Sequence, residues 1–227
     1  MFHTLTLLNE QNIQKLNSLY DAAEFKAGLM TKVEFVPQIK NNLEMTRGEG
    51  YFTESEKIIV SSVAENYDFQ EYTALRKYGP ILFSQYTSGM YYHKHNDYYK
   101  MGSVRTDYSC TVFLSNPDEY SGGELMIDIG NKEIPFKLDA GDAIIYPTGY
   151  THRVNEVTSG VRRVCVFWIE STIQNSVLRQ INSDMHGIMK NYAVPDNWKE
   201  KQPELYENFV KIKFNLLRNF GNFEGMN

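Results

Sequence analysis

Basic charge is scarce in this 227-residue chain: 23 lysines and arginines face 28 aspartates and glutamates, for a net charge of −5. A protein that grips a nucleic-acid duplex carries a basic stripe to neutralise phosphates. No such stripe is visible, so nucleic acid is not expected as a partner. Also missing is an apolar run of roughly eighteen residues, so no helix is expected to span a membrane. The opening segment, MFHTLTLLNEQNIQ, has neither a basic leader nor a small-residue cleavage site, so no signal peptide is expected. Cysteine is nearly absent. Cys110 and Cys165 both sit in apolar, strand-like runs. Two thiols make no disulfide framework, and reduced core thiols in a cytoplasmic protein are the expectation. There is no internal repeat and no low-complexity tract. What is present is 42% hydrophobic, 22% charged and, led by tyrosine, 14% aromatic. That is the balance of a globular chain long enough to bury a core.

The texture changes twice along the chain. In NEQNIQKLNSLYDAA, Ile13, Leu16, Leu19 and Tyr20 recur at helical spacing. In TESEKIIVSSVAENY, Thr53 and Glu56 have capping-box spacing, with Ile59, Val60, Val63 and Tyr67 as the apolar face behind them. From Pro80 the runs become short and β-branched or aromatic: ILFSQYTS, DYSCTVFLS, GGELMIDI, EIPFKL, DAIIYP, YTHRVNEV and VRRVCVFWIE. Turn residues separate them, as in SNPDEYSGG and LDAGDA, and so many short strands in succession predict a sandwich or jelly roll. After Ser171 helical periodicity returns. Val177, Leu178, Ile181, Met185, Ile188 and Met189 form one stripe. Leu205, Phe209, Ile212, Leu216 and Leu217 form another, behind Pro203 as a first-turn residue. The two helices are expected to pack on the sheet, ahead of a frayed tail, GNFEGMN. The fold class predicted is therefore α+β: N-terminal helices, a β core over about 80–172, and a C-terminal helical appendage.

The segment MYYHKHNDYYK places His93, His95 and Asp97 at alternate positions. On a strand these share a face, and Cα atoms two residues apart lie about 6.6 Å from each other, close enough for two side chains to meet one ion. Four residues apart is too far, so His95 is the shared member. A third ligand has to come from another strand, and the remaining histidine of the β region is His152, in YPTGYTHRV. Two sets are open on spacing alone. His95, Asp97 and His152 make the two-histidine, one-carboxylate set of non-haem iron oxygenases. His93, His95 and His152 make a three-histidine set of cupin or zinc-hydrolase type, a metal-binding jelly roll without oxygenase activity. His3 and His186, in the terminal segments, are expected to be incidental.

Ten residues beyond His152 comes Arg162, followed by Arg163. Neighbours on a strand face opposite ways, so one of the pair points inward, and an inward guanidinium needs an anion. A turn at Ser159–Gly160 is expected to fold the strand back and bring Arg162 alongside the strand of His152. A protein carboxylate or a dicarboxylate co-substrate would each satisfy it. Arg105 and Asp107 share a strand face and are expected to pair.

These motifs together resemble the Fe(II)/2-oxoglutarate-dependent dioxygenases, in the prolyl-4-hydroxylase-like branch, and within it the PKHD-type hydroxylases. The likeness rests on YTSGMYYHKHND, on RTDYSCTVFLSNPDEYSGGEL and on AGDAIIYPTGYTHRVNEVTSGVRRVCVFWIES, with QIKNN and NLLR as weaker echoes. It covers most of the chain and is weakest over Met185 to Glu200. The resemblance implies a double-stranded β-helix, a distorted jelly roll, as residues 1–172, with 173–227 as a helical extension. It implies Fe(II) held by His95, Asp97 and His152, and 2-oxoglutarate held at its far carboxylate by Arg162, with Tyr86 hydrogen-bonding the same co-substrate. L-Ascorbate is a further cofactor expectation. The reaction implied is hydroxylation of an unactivated C–H, on a prolyl or other peptidyl or amino-acid side chain, releasing succinate and CO2. Halogenating relatives lack the carboxylate, so Asp97 favours hydroxylation. His93 then falls outside the ligand set, and Tyr91, Tyr92, Tyr98 and Tyr99 flank the mouth. A small-molecule or peptide substrate is expected.

Overall fold

The computed structural model describes residues 2–28, 39–48 and 50–223. Two antiparallel sheets carry the fold. The larger has eight strands, and its main path runs His3–Thr6, Asp142–Pro147, Tyr108–Phe113, Arg162–Ser171, Leu82–Tyr86, Leu43–Met45, Phe25–Ala27. Leu75–Tyr78 pairs with the far half of Arg162–Ser171. The smaller sheet has five, in the order Glu133–Phe136, Leu125–Asp128, His152–Val154, Tyr91–His95, Lys40–Asn41.

The alternation of side chains along the central strands shows how the layers stack. Tyr108, Cys110 and Val112, with Cys165, Phe167 and Ile169 opposite them, join a core with Leu16, Ile59 and Phe69 of the N-terminal helices. Phe113 and Val164 point the other way, into a second core with Leu125, Ile127 and Val154 of the smaller sheet. The larger sheet is thus covered on both faces, which is why its strands read as continuous apolar runs rather than as alternating ones. Strand residues facing the smaller sheet line the interior of the jelly roll. Arg162, Val166 and Trp168 fall on that face at even spacing. Cys110 and Cys165 are free and fully buried, as expected of core thiols.

The N-terminal helices depart from the sequence reading at their ends. The helix Gly50–Glu65 starts before Thr53, so Thr53 lies inside it and is not a cap. Phe52 explains the extension, because it is buried edge-on against Phe83 of the sheet, 5.3 Å between ring centres. Tyr67 does not continue that helix either. Asn66 accepts a hydrogen bond from the Phe69 amide at 2.9 Å and caps a new helix, Tyr67–Thr73, leaving Tyr67 73% exposed.

The C-terminal helices, Ser176–Ile188 and Pro203–Phe220, form, with Pro203 in the first turn. Their burial follows the expected apolar stripe only in part: Met185 is buried and Leu178, Phe209, Leu216 and Leu217 are half-buried. Val177, Ile181, Leu205 and Ile212 are exposed, whereas Asn182, Ser183, His186 and Lys213 are buried. Polar contacts dock these helices. Asn182 Nδ2 donates to the Glu71 carbonyl at 3.0 Å, Lys213 pairs with Glu71, and Arg179 reaches Asp107 at 3.0 Å. The expected tail is partly tied: Gly221 bridges to Ile173, and the Asn222 amide donates to the Thr172 carbonyl. Residues 224–227 lie outside the described ones.

Candidate metal and co-substrate site

The two histidines of the site are cross-strand partners. His95 ends the strand Tyr91–His95 and lies directly opposite His152 at the start of His152–Val154. Each ring is turned by its own backbone. His95 Nδ1 donates to the His93 carbonyl at 2.8 Å, and His152 Nδ1 donates to the Tyr150 carbonyl at 3.0 Å. A carbonyl can only accept, so in both rings the proton sits on Nδ1 and the Nε2 lone pair is free. Tyr92 stacks on His95, with ring centres 3.6 Å apart, and Tyr146 meets His152 edge-on at 5.4 Å. Burial, with His152 beside it, lowers the His95 pKa to about 4, so the imidazole is neutral at physiological pH.

Asp97 reaches this pair because the strand does not run through. It stops at His95, and Asp97 lies past its end, free of the ladder geometry that would carry it away. One carboxylate oxygen is 3.8 Å from His95 Nε2 and the other 3.7 Å from His152 Nε2. One ligand atom from each of the three residues lies within 4.8 Å of the others. Two free imidazole lone pairs and a carboxylate at this spacing suit a first-row divalent metal, and leave part of its coordination sphere open. The three-histidine alternative does not assemble. His93 is exposed, its ring lies against Tyr91 at 4.3 Å, and among the described residues it belongs to no such cluster.

A cavity of about 350 Å³ opens beside the three residues, lined also by Arg162, Tyr86 and Trp168. Arg162 does not arrive as expected. Its strand pairs with Leu82–Tyr86 and Tyr108–Phe113 in the larger sheet, so it faces the histidines from across the jelly roll rather than beside His152. The intervening Val157–Gly160 forms its own strand with Tyr120–Gly122, so the chain changes sheets instead of closing a hairpin. Arg163 faces outward as expected and contacts Asp21 at 2.5 Å.

Arg162 is 1% exposed, and among the described residues its Nε and Nη1 have no hydrogen-bond partner. Among the described residues no carboxylate pairs with it. The rings of Tyr86 and Phe113 lie 5.1 and 5.6 Å from the guanidinium carbon. Tyr86 is fully enclosed, and burial pushes its hydroxyl up to about 12, against the opposing pull of Arg162. It therefore stays protonated, a donor. The buried Tyr120 hydroxyl lies near the same guanidinium, whose charge pulls against the rise that burial gives its pKa.

Two further residues escaped the sequence reading. Ser109 Oγ and Trp168 Nε1 both donate to Asp97 Oδ2, at 2.8 and 2.9 Å. A signal for Trp168 existed, since it stands six residues after Arg162 and so shares its face.

His3 and His186 also meet a carboxylate. Their Nε2 atoms lie 3.0 and 2.5 Å from Asp68 Oδ1, and Lys190 holds Oδ2. The composition matches the first group, and here too one ligand atom from each residue lies within 4.8 Å of the others. Here both carboxylate oxygens are taken at hydrogen-bond distance, and the cluster clasps the last turn of Ser176–Ile188 to the first strand and to the helix Tyr67–Thr73.

Comparison with known proteins agrees with this geometry. Residues 81–170 match the model of the 2OG-Fe(II) oxygenase superfamily. A PKHD-type hydroxylase of Thermosynechococcus vestitus is 35% identical over 219 residues, covering 93% of this chain and 95% of the relative. One from Sphingopyxis alaskensis is 32% identical, covering 96% and 98%. Among solved structures, a Pseudomonas putida prolyl-4-hydroxylase superposes with a TM-score of 0.52 at 15% identity, over 75% of this chain and 92% of that one. A Trichoplax adhaerens prolyl hydroxylase, in complex with a hypoxia-inducible-factor peptide fragment, also gives 0.52, at 13% identity, over 81% and 86%. The structural likenesses place the fold among the prolyl-hydroxylase jelly rolls. The sequence likeness, running nearly end to end through the residues that converge here, makes the chain a member of the PKHD-type hydroxylases, enzymes of the 2OG-Fe(II) oxygenase superfamily.

Proposed function

We propose that the chain hydroxylates an unactivated C–H bond of a prolyl or other amino-acid side chain, free or within a peptide, with succinate and CO2 as co-products. In this reading His95, Asp97 and His152 hold Fe(II), Arg162 clamps the far carboxylate of 2-oxoglutarate, and Tyr86 donates its phenol to the same co-substrate. The observation that carries it is a buried guanidinium with no carboxylate partner among the described residues. A cation buried without an anion is costly, and a dicarboxylate held at the metal by one end brings the missing charge with its other end.

Bound Fe(II), with 2-oxoglutarate and dioxygen, supplies the oxidising chemistry. The chain's own part is orientation and dryness. The Nδ1–carbonyl bonds aim both imidazoles inward. Leu125, Val154 and Val166 line the cavity as apolar wall and keep water scarce. Ile39, Pro80, Tyr98 and Met101, with the Lys40–Glu44 ion pair, line the cavity as well, and form a surface of mixed apolar and charged character suited to an amino-acid side chain and its backbone. The peptide bound by the Trichoplax relative supports a peptide substrate. Residues 1–172 are the oxygenase unit in this reading, and 173–227 its helical extension.

The test is a panel of free amino acids and proline-containing peptides, incubated with Fe(II), 2-oxoglutarate and isotopically labelled dioxygen. The expected result is succinate formed one for one with a product that has gained one labelled oxygen on a side-chain carbon. Succinate that never rises above the substrate-free level across the panel would contradict the substrate class.

A further inference from the structure

We propose that Ser109 and Trp168 are positioning residues that hold the Asp97 carboxylate toward His95 and His152, where it would meet a metal. The inference rests on Asp97 being a metal ligand. Because Asp97 lies beyond the end of its strand, no ladder of backbone hydrogen bonds sets its direction. Its orientation has to come from side chains, and two supply it.

Ser109 and Trp168 are directly opposite each other in the ladder between Tyr108–Phe113 and Arg162–Ser171. Facing residues in an antiparallel pair hold their side chains about 5 Å apart. That makes a bay of fixed width, and Asp97 Oδ2 sits in it, at 2.8 Å from Ser109 Oγ and 2.9 Å from Trp168 Nε1. Both donors are buried: Ser109 is 0% exposed and Trp168 6%. The Ser109 hydroxyl has one proton, which it can donate to Asp97 or to the Thr148 hydroxyl at 3.1 Å. An indole N–H can only donate, so Trp168 cannot release Oδ2 by changing role.

Oδ1 receives no donor from the described residues and lies 3.8 Å from His95 Nε2, while Oδ2, seated in the bay, lies 3.7 Å from His152 Nε2. Pinning Oδ2 at two points fixes the direction of the carboxylate and keeps both oxygens beside the histidine nitrogens. The strand that carries Arg162 therefore also carries a residue that orients a candidate metal ligand.

Anaerobic Co(II) titration of the apo protein reads this without turnover, through the visible bands and affinity of the bound ion. Trp168→Phe and Ser109→Ala, each verified as folded by circular dichroism, are expected to weaken Co(II) binding by about tenfold or more and to alter the band positions. Ile169→Val perturbs the same strand on its opposite face and is expected to leave both unchanged. Asp97→Ala separates the two levels of the argument. If it binds Co(II) like wild type, the ligand assignment itself fails. If it loses Co(II) while both positioning variants keep wild-type affinity and bands, or if Ile169→Val loses as much as they do, the positioning role is overturned.

Discussion

Arg162 and Tyr86 are cross-strand partners in the larger sheet, and the guanidinium carbon lies 5.1 Å from the centre of the phenol ring. The ring offers the cation a π face, and the other buried ring, Phe113, offers a second at 5.6 Å. Neither is a counter-ion. Among the described residues no carboxylate offsets the buried Arg162 charge, so the fold bears the cost of burying it.

Arg162→Met should therefore stabilise the ligand-free fold, by about 1–3 kcal/mol, the cost of burying an unsatisfied polar group. Urea unfolding in the absence of 2-oxoglutarate measures it. The same variant should lose the thermal stabilisation that 2-oxoglutarate gives the metal-loaded wild type, because ligand stabilisation follows affinity.

Asp107 is the anion of a buried network. It accepts Arg105 through both oxygens, at 3.0 and 2.7 Å, receives the Ser171 amide at 2.9 Å, and faces Arg179 at 3.0 Å. Asp107→Ala strands these cations and should cost about 3–5 kcal/mol in denaturant unfolding. Because Arg179 belongs to the helix Ser176–Ile188, that helix should lose amide-exchange protection first.

Acid should loosen the clasp at Asp68. Burial depresses the His3 pKa below 6.5, against the opposing pull of Asp68. Asp68 is also lowered from 3.8, since hydrogen bonds from Lys190 and His186 outweigh its burial. A depressed folded-state pKa gives stability that is present above the unfolded value and lost as pH falls through the folded one. His3 should therefore contribute a decline that begins as pH drops below about 6.5, and Asp68 a second one below about 3.9. His3→Gln, which cannot titrate, should flatten the first part of the profile in unfolding experiments run across this range.

Neither cysteine should react with a thiol reagent while the chain is folded. Cys110 and Cys165 are 0% exposed, and burial raises both thiols above their ordinary range. Labelling should instead track unfolding. Prompt labelling in native buffer would contradict the packing of the larger sheet.

Local spacing made His95 and His152 legible as candidates but left His93 and Asp97 as alternatives, and the family resemblance, not spacing, favoured Asp97. The strand break that lets Asp97 turn inward was not legible, since nothing in HKHND marks His95 as the last ladder residue. Arg162 was found for the right physical reason, an inward cation, but placed beside the wrong strand. Which sheet a strand joins is decided by distant partners, here Leu82–Tyr86 and Tyr108–Phe113. The C-terminal stripes were only partly right, because helical periodicity reports an apolar face, not what covers it. Tertiary hydrogen bonds through Asn182 and Lys213 buried polar residues as well. Ser109 and Trp168 were hidden for the same reason as Arg162's sheet, because only the ladder register makes them neighbours.

The central claim is that a metal at His95, Asp97 and His152 and a dicarboxylate at Arg162 occupy one cavity together. Anaerobic titration of the Fe(II) protein with 2-oxoglutarate tests it most directly. A saturable visible charge-transfer band should appear in wild type and demand far more 2-oxoglutarate in Arg162→Ala, roughly tenfold or beyond for a lost charge-assisted hydrogen bond. An iron-loaded, folded protein that shows no band, or a band whose 2-oxoglutarate dependence ignores Arg162, would contradict the account.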